Sequence, residues 1–299
     1  MSTHETAETH YVTIQGVKIA YHRVGRDSGI PLVMPMHFRG NMDFWDPALI
    51  NALAESRPII LLDNAGIGKS EGEIALELQG WASIVVGLLD ALKIGRIDLL
   101  GFSMGGGAAQ HVALSAPLLV CKLILAAIRT SLTPNTVIGP RDIFLKLANW
   151  EDFKAAIAVS FFNPSPHGQL EAQRSWDRIM ARKENRAPPV SVEMGKRQIE
   201  AFSKFSISHP FNPYERIREL NMPVLVANGD NDLLIPTVNS IELAQILPNA
   251  QLHIYPNSGH GFLYQYAEEF AKLIAIFLDS EERSWDEGFG AGNSKAQLA

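Results

Sequence analysis

The chain has 299 residues, of which 46% are hydrophobic and 19% charged, with a formal net charge of −6. That composition supports a sizeable core, as one large α/β domain or a core domain with an insertion. The lack of a basic block argues against nucleic acid as a partner, and no apolar run is long enough to span a bilayer.

Met1 to His10 is polar and without an apolar stretch, so residues 1–10 are expected to form a flexible tail. Tyr11–Ile14 and Val17–Val24 alternate apolar and polar around Gln15-Gly16, the pattern of a β-hairpin. Ile30–Met36 is a continuous apolar run and predicts a buried strand. Met42–Ala54 shows helical spacing through Phe44, Trp45, Leu49 and Leu53. Pro58–Leu62 predicts another buried strand, Ile74–Leu92 a long amphipathic helix, and Ile97–Leu100 a strand leading into a small-residue helix from Met104 to about Ser115. Cys121–Ile128 is a further strand; its cysteine, the only one in the chain, cannot form an internal disulfide, so nothing argues for an oxidising compartment. A cytoplasmic location is the expectation.

After Arg129 the strand rhythm stops until Met222. Helical patterns cover Ile143–Ala148, Phe153–Phe161, Gln169–Arg182 and Val192–Phe205, divided by Asn163-Pro164-Ser165-Pro166 and Ala187-Pro188-Pro189. The rhythm then resumes with Pro223–Ala227, Ala244–Leu247, Gln251–Tyr255 and Phe262–Leu278 as strand, helix, strand, helix. Short apolar strands alternating with helices imply an α/β fold with a mostly parallel, eight-stranded sheet covered on both faces. The expected organisation is a core domain over 11–130 and 221–280, an inserted helical lid over 131–220, and a second flexible tail over 281–299.

Chemistry concentrates at Gly101-Phe102-Ser103-Met104-Gly105-Gly106. A serine in a Gly-x-Ser-x-Gly frame between a buried strand and a helix is a nucleophile elbow, which lifts the hydroxyl above the sheet. The helix that follows aims its positive dipole end at the place where an attacked carbonyl would become negative. Such a hydroxyl needs a base. Of the nine histidines, His260 stands out because Gly259-His260-Gly261 falls in the loop between the last strand and the last helix, at the carboxyl edge where open parallel sheets bind ligands. The histidine needs an orienting acid. Asp232, in Gly229-x-x-Asp232-x-x-x-Pro236, is preferred to Asp230, which sits beside Gly229 and can bond its own turn. Gly66-Ile67-Gly68-Lys69-Ser70 looks like the end of a phosphate-binding loop, but position 63 is Asp rather than the required glycine. No spacing of cysteine and histidine suggests a metal, and no cofactor is indicated.

Taken together, these motifs and Asp63-x-x-Gly66-x-Gly68-x-Ser70 resemble the α/β-hydrolase superfamily, in its lid-bearing group of esterases, lactonases and haloperoxidase-like hydrolases. The resemblance implies a catalytic triad of Ser103, His260 and Asp232, in the chain order of that family. It also implies an oxyanion hole from the Met104 N–H and one N–H of the loop Met36-His37-Phe38-Arg39-Gly40. That loop departs from the usual His-Gly pair, leaving Phe38 and Arg39 as alternatives, with Phe38 preferred. Candidate substrate contacts are His37, Phe161, Trp176 and Phe262, although helix-spaced aromatics also serve as lid core. The expected activity is hydrolysis of a carboxylic ester or lactone of a small to medium, largely apolar molecule through an acyl-enzyme. The alternatives are C–C bond hydrolysis or peracid formation by the same triad, acyl transfer, and a slow-turnover ligand receptor. Oligomeric state is not legible.

Overall fold

A computed structural model describes residues 2–207 and 213–280. His209, placed by its sequence beside the lid, and the tail over 281–299 lie outside the described residues. The elements run β1 (His10–Ile14), β2 (Val17–Gly25), β3 (Leu32–Met34), α1 (Pro47–Ala54), β4 (Pro58–Leu62), α2 (Leu78–Ala91), β5 (Ile97–Phe102), α3 (Met104–Ser115) and β6 (Val120–Ala126). They continue with α4 (Arg141–Asn149), α5 (Phe153–Phe161), α6 (Pro166–Ile179), α7 (Val192–Ser206), α8 (Pro213–Arg216), β7 (Val224–Gly229), α9 (Thr237–Ile246), β8 (Ala250–Tyr255), α10 (Phe262–Gln265) and α11 (Ala267–Asp279). The eight strands form one sheet in the order β1-β2-β4-β3-β5-β6-β7-β8. β2 is antiparallel to both its neighbours, and every other pairing is parallel.

The central strands are apolar on both faces because both faces are covered. Leu100, Ile124 and Leu225 point into the core shared with α1 and α11, while Leu99, Leu123, Leu125 and Val226 point into the core shared with α2, α3 and α9. Crossing from one strand to the next in parallel keeps all carboxyl ends on one edge, and the chemistry-bearing loops follow β5, β7 and β8 there.

Several elements differ from the sequence expectation for local reasons. β3 is only three residues long, not Ile30–Met36, because Pro31 and Pro35 flank it and lack the N–H that a ladder needs. The helix expected over Met42–Ala54 is broken. A 3-10 turn, Met42–Phe44, precedes α1, which starts at Pro47 with Asp46 accepting the Ala48 N–H at 2.9 Å. The last helical run divides at Tyr266 into α10 and α11.

Residues 2–9 are not a loose tail. His4 is 1% exposed, its N–H donates to Asn51 Oδ1 at 2.8 Å, and Arg182 reaches the carbonyls of His4, Glu5 and Ala7. A buried polar chain end stays put because its backbone groups have found partners. The signal was hidden since the partners lie at positions 51 and 182.

Between β6 and β7 the described chain is helical. Its α6 packs on α1, α5 and α10, and α7 packs on α2, α3 and α4, so this insertion sits on the edge that carries the loops after β5 and β8. Among the described residues no helix is long and apolar enough to cross a membrane.

Candidate active site

Ser103 joins β5 to α3 in a conformation that L-residues avoid, φ 54° and ψ −124°. The strain is held by packing around it: the Ser103 N–H donates to Ala126 O at 2.9 Å, and its carbonyl accepts the Gly106 N–H at 2.7 Å. Gly105 shows why the turn demands glycine, for a Cβ there would lie 2.2 Å from Pro35 O at the end of β3. Met104 is the first residue of α3, where an N–H has no intrahelical acceptor.

The Ser103 hydroxyl lies 2.8 Å from His260 Nε2, and His260 Nδ1 lies 2.7 Å from Asp232 Oδ2. The carboxylate accepts from Nδ1–H, which leaves Nε2 to accept from the hydroxyl. Asp232 is 3% exposed, and its other oxygen accepts the N–H groups of Leu234 and Ile235 at 2.8 and 2.9 Å, fixing its orientation. Asp230 instead accepts the N–H groups of Asn257 and Ser258, stitching the loop after β7 to the loop after β8. The two aspartates thus divide the work, one turned towards the histidine and one towards the loop backbone.

The glycines beside His260 serve a contact rather than ring mobility. A Cβ on Gly259 would sit 2.7 Å from Phe161 O, and the Gly261 N–H donates to that same carbonyl at 2.8 Å. The C-terminal end of α5 therefore rests on the histidine loop. The Phe161 ring meets the His260 ring edge-on at 4.9 Å, and Phe102 lies 5.2 Å away on a tilt.

The remaining candidates separate. The Arg39 N–H is occupied, donating to the buried Gln198 Oε1 at 2.9 Å, so Phe38 is the member of that pair with an N–H to offer. His37 donates from Nδ1 to Phe38 O at 2.8 Å and packs among Phe102, Phe161 and Tyr264. Burial pushes its pKa down to about 3, so the ring is neutral. His37 and Phe161, at 2% and 1% exposure, are packed beside the loops of Ser103 and His260 rather than exposed at a surface. Trp176 is half-buried against Phe44 and Phe153 at 6.2 and 6.5 Å. Phe262 is a core residue, stacked on Tyr255 at 5.1 Å and edge-on to Phe270. Both were expected at the substrate from chain position; in the structure both pack against apolar neighbours.

Sequence reasoning passed over Gln198. It lies on the α7 stripe of Gly195, Ala201 and Phe205, all buried, and is itself 0% exposed. A glutamine on an apolar helix face is the signal that would have found it.

A strand-turn-helix serine, backed by a histidine and a carboxylate on later loops of one sheet edge, defines a class of nucleophilic hydrolases. Comparison with known proteins agrees. The family described as alpha/beta hydrolase fold matches residues 30–265, and the chain belongs to it. A 2-hydroxy-6-oxononadienedioate/2-hydroxy-6-oxononatrienedioate hydrolase of Burkholderia vietnamiensis is 28% identical over 298 residues, covering 92% of this chain and 96% of that protein. A 2-hydroxymuconate semialdehyde hydrolase of a Pseudomonas species is 30% identical over 284 residues, covering 88% and 91%. Among solved structures, an alpha/beta hydrolase fold protein from Chitinophaga pinensis superposes with a TM-score of 0.86 at 31% identity, covering 94% of this chain and 100% of that one.

Proposed function

We propose that the protein is a serine-triad hydrolase that cleaves a carbon–carbon bond beside a ketone in a 2-hydroxy-6-oxo-dienoate. The observation that carries this reading is the unbroken relay Ser103–His260–Asp232, with separations of 2.8 and 2.7 Å, in a chain whose 28–30% identical relatives are named for such substrates. Ester or lactone hydrolysis, the expectation from sequence, becomes the second reading, since those relatives are named for hydroxy-oxo-dienoic acids, which carry no ester bond to cleave.

The chemistry imposes an order of events. A carbon leaving group departs only as a stabilised carbanion, so the 2-hydroxyl proton first moves to C5, giving a 2-oxo-3-ene. Ser103 Oγ then attacks the C6 ketone while His260 Nε2 takes the hydroxyl proton and the Asp232 carboxylate steadies the imidazolium. The oxyanion on C6 rests on the N–H groups of Phe38 and Met104, each worth about 3 kcal/mol at a typical hole. Collapse breaks C5–C6, and the electron pair spreads over C5, C3 and the C2 oxygen before a proton from the imidazolium completes 2-hydroxypenta-2,4-dienoate. Water then attacks the acyl-serine, with His260 as base, and releases the second acid. The helical insertion acts as the lid that excludes bulk water during the first half.

The test is a ranking of purified protein on 2-hydroxy-6-oxo-6-phenylhexa-2,4-dienoate, followed by loss of its dienolate colour, against aryl esters and lactones of graded acyl length. The dienoate is expected to exceed the best ester in kcat/KM by about 100-fold, some 2.7 kcal/mol of transition-state preference. A best ester that outruns the dienoate overturns the carbon–carbon reading in favour of an esterase.

A further inference from the structure

Arg39 is held by the helical insertion through its N–H, its carbonyl, Nε and Nη1. Its N–H donates to Gln198 Oε1 at 2.9 Å and its carbonyl accepts the Val190 N–H at 3.1 Å. Its guanidinium donates through Nε to Val190 O at 3.0 Å, and through Nη1 to Leu147 O at 3.0 Å and Trp150 O at 2.9 Å. The residue is 2% exposed, so a cation has been taken largely out of water, with three of its hydrogen bonds made to backbone carbonyls of another part of the chain.

The backbone at this point is unusual. The Gly40 N–H donates to His37 O at 3.2 Å, closing a four-residue turn in which Arg39 is the third residue, with φ 60°. A positive φ at that place is what glycine or asparagine supplies in a type II turn, and an arginine adopts it only where surroundings over-determine it. Here the surroundings are the insertion. The turn also carries the Phe38 N–H on the same peptide plane as His37 O. The next plane is pinned at both edges, Phe38 O by His37 Nδ1–H and the Arg39 N–H by Gln198.

We propose that Arg39 is a positioning residue, through which the seated helical insertion holds the His37–Gly40 turn in the conformation that aims the Phe38 N–H at the substrate oxyanion. Closing the insertion then builds the hole as well as covering it, and a substrate that fails to let the insertion seat meets a turn free to relax out of its left-handed conformation. Gln198 is the partner on the insertion side, holding the main chain while the carbonyls of Leu147, Trp150 and Val190 hold the side chain. The inference rests on the preceding reading that Ser103 attacks the substrate carbonyl and so creates the oxyanion that the Phe38 N–H receives.

Arg39→Gly separates the clasp from the strain, since glycine accepts φ 60° freely and keeps the N–H for Gln198. The expected result is a fall in kcat of about 10- to 100-fold with KM within about twofold, the size of effect that slight misplacement of a catalytic group produces. The rate of serine labelling by a fluorophosphonate should fall in parallel, and the midpoint of the pH–rate profile should not move, because His260 and Asp232 are untouched. Millimolar guanidinium should restore part of the rate. A paired test uses Gln198: Gln198→Glu keeps an acceptor for the Arg39 N–H and should retain more kcat than Gln198→Met, which has none. Folded Arg39→Gly with wild-type kcat, or a loss carried by KM alone, overturns the proposal. Should Arg39→Gly not fold, the Gln198 pair decides, and equal kcat in the two variants overturns it. Failure of the underlying reading looks different: Ser103→Ala would then keep its turnover.

Discussion

Two regions meet over Ser103 and are held together by different forces. Below it lies the sheet, where Leu99, Leu100, Leu123 and Ile124 are fully buried and apolar contact is the adhesive. Above it the seam between the insertion and residues 39–46 combines apolar contacts, Phe44 against Phe153 and Trp176, with a set of buried polar bonds. Asp43 pairs with Arg182 at 3.1 Å with both side chains nearly inaccessible, and Asp46 accepts from Ser175 at 2.8 Å and from Arg178 at 2.7 Å. Asn41 adds a bond from Nδ2 to Pro188 O at 2.7 Å. A hydrophobic core opens only by exposing all of its surface, whereas a polar seam opens one bond at a time with water as the substitute partner. The comparison teaches that the sheet beneath Ser103 is held mainly by apolar contact, whereas the cover above it depends in addition on buried polar bonds.

The sharpest way to break that picture is at the relay. Ser103→Ala should lower kcat on the best substrate by about 10⁴-fold or more, and Asp232→Asn by about 10³- to 10⁴-fold through the wrong imidazole tautomer, both read by steady-state kinetics. Neither should loosen the insertion, as hydrogen exchange on α6 and α7 would report. In the sheet, Leu100→Ala should cost about 2–5 kcal/mol in denaturant unfolding, with one cooperative transition. At the seam, Asp46→Ala should cost about 1–3 kcal/mol, less than the sheet substitution, and the loss should appear first as faster exchange in α6. Equal and global losses at Leu100 and Asp46 would erase the distinction between the two regions.

The last effect, spread over about two pH units and leaving neutral-pH activity alone, concerns acid. Burial, and after it the neighbouring Arg182, push the pKa of His4 down to about 4; His37 falls to about 3 for the same first reason. Both groups take up a proton in the unfolded chain near the ordinary value of 6.5 but not in the native one, so the native state binds fewer protons as the pH falls. Their contribution to stability is therefore complete above about pH 6.5 and is lost as pH falls towards 4, at no more than about 1.4 kcal/mol per pH unit for each. The midpoint of thermal unfolding should drop between pH 6.5 and 4.5, and His4→Gln should flatten that slope without changing kcat at neutral pH. An unchanged slope would show that residues 2–9 are not seated as described.

Much of the fold was legible because its causes are local. Runs such as Pro58–Leu62 and Ile97–Leu100 are apolar on every residue, as strands covered on both faces must be, and the Gly-x-Ser-x-Gly frame answers to one turn. Asp232 and His260 were readable from their glycine-marked loops at the strand ends. Phe262 and Trp176 pack against apolar neighbours, which the sequence could not separate from a place at the substrate because an aromatic in a helix carries the same pattern whether it faces a ligand or a core. The start of the chain was taken for a tail because its anchors, Asn51 and Arg182, are remote in sequence.

The amino-acid sequence by itself determined the strand-helix alternation, the elbow and the identity of the relay residues, since each depends on spacing within a few positions and on backbone sterics. Tertiary structure alone decided which N–H of the His37–Gly40 turn is free, which aromatics are core, and that an arginine in a glycine's conformation is clasped by helices more than 100 positions away. The reason is that a hydrogen-bond partner brought in by folding leaves no periodic trace in the chain, while a steric demand made by the next residue does.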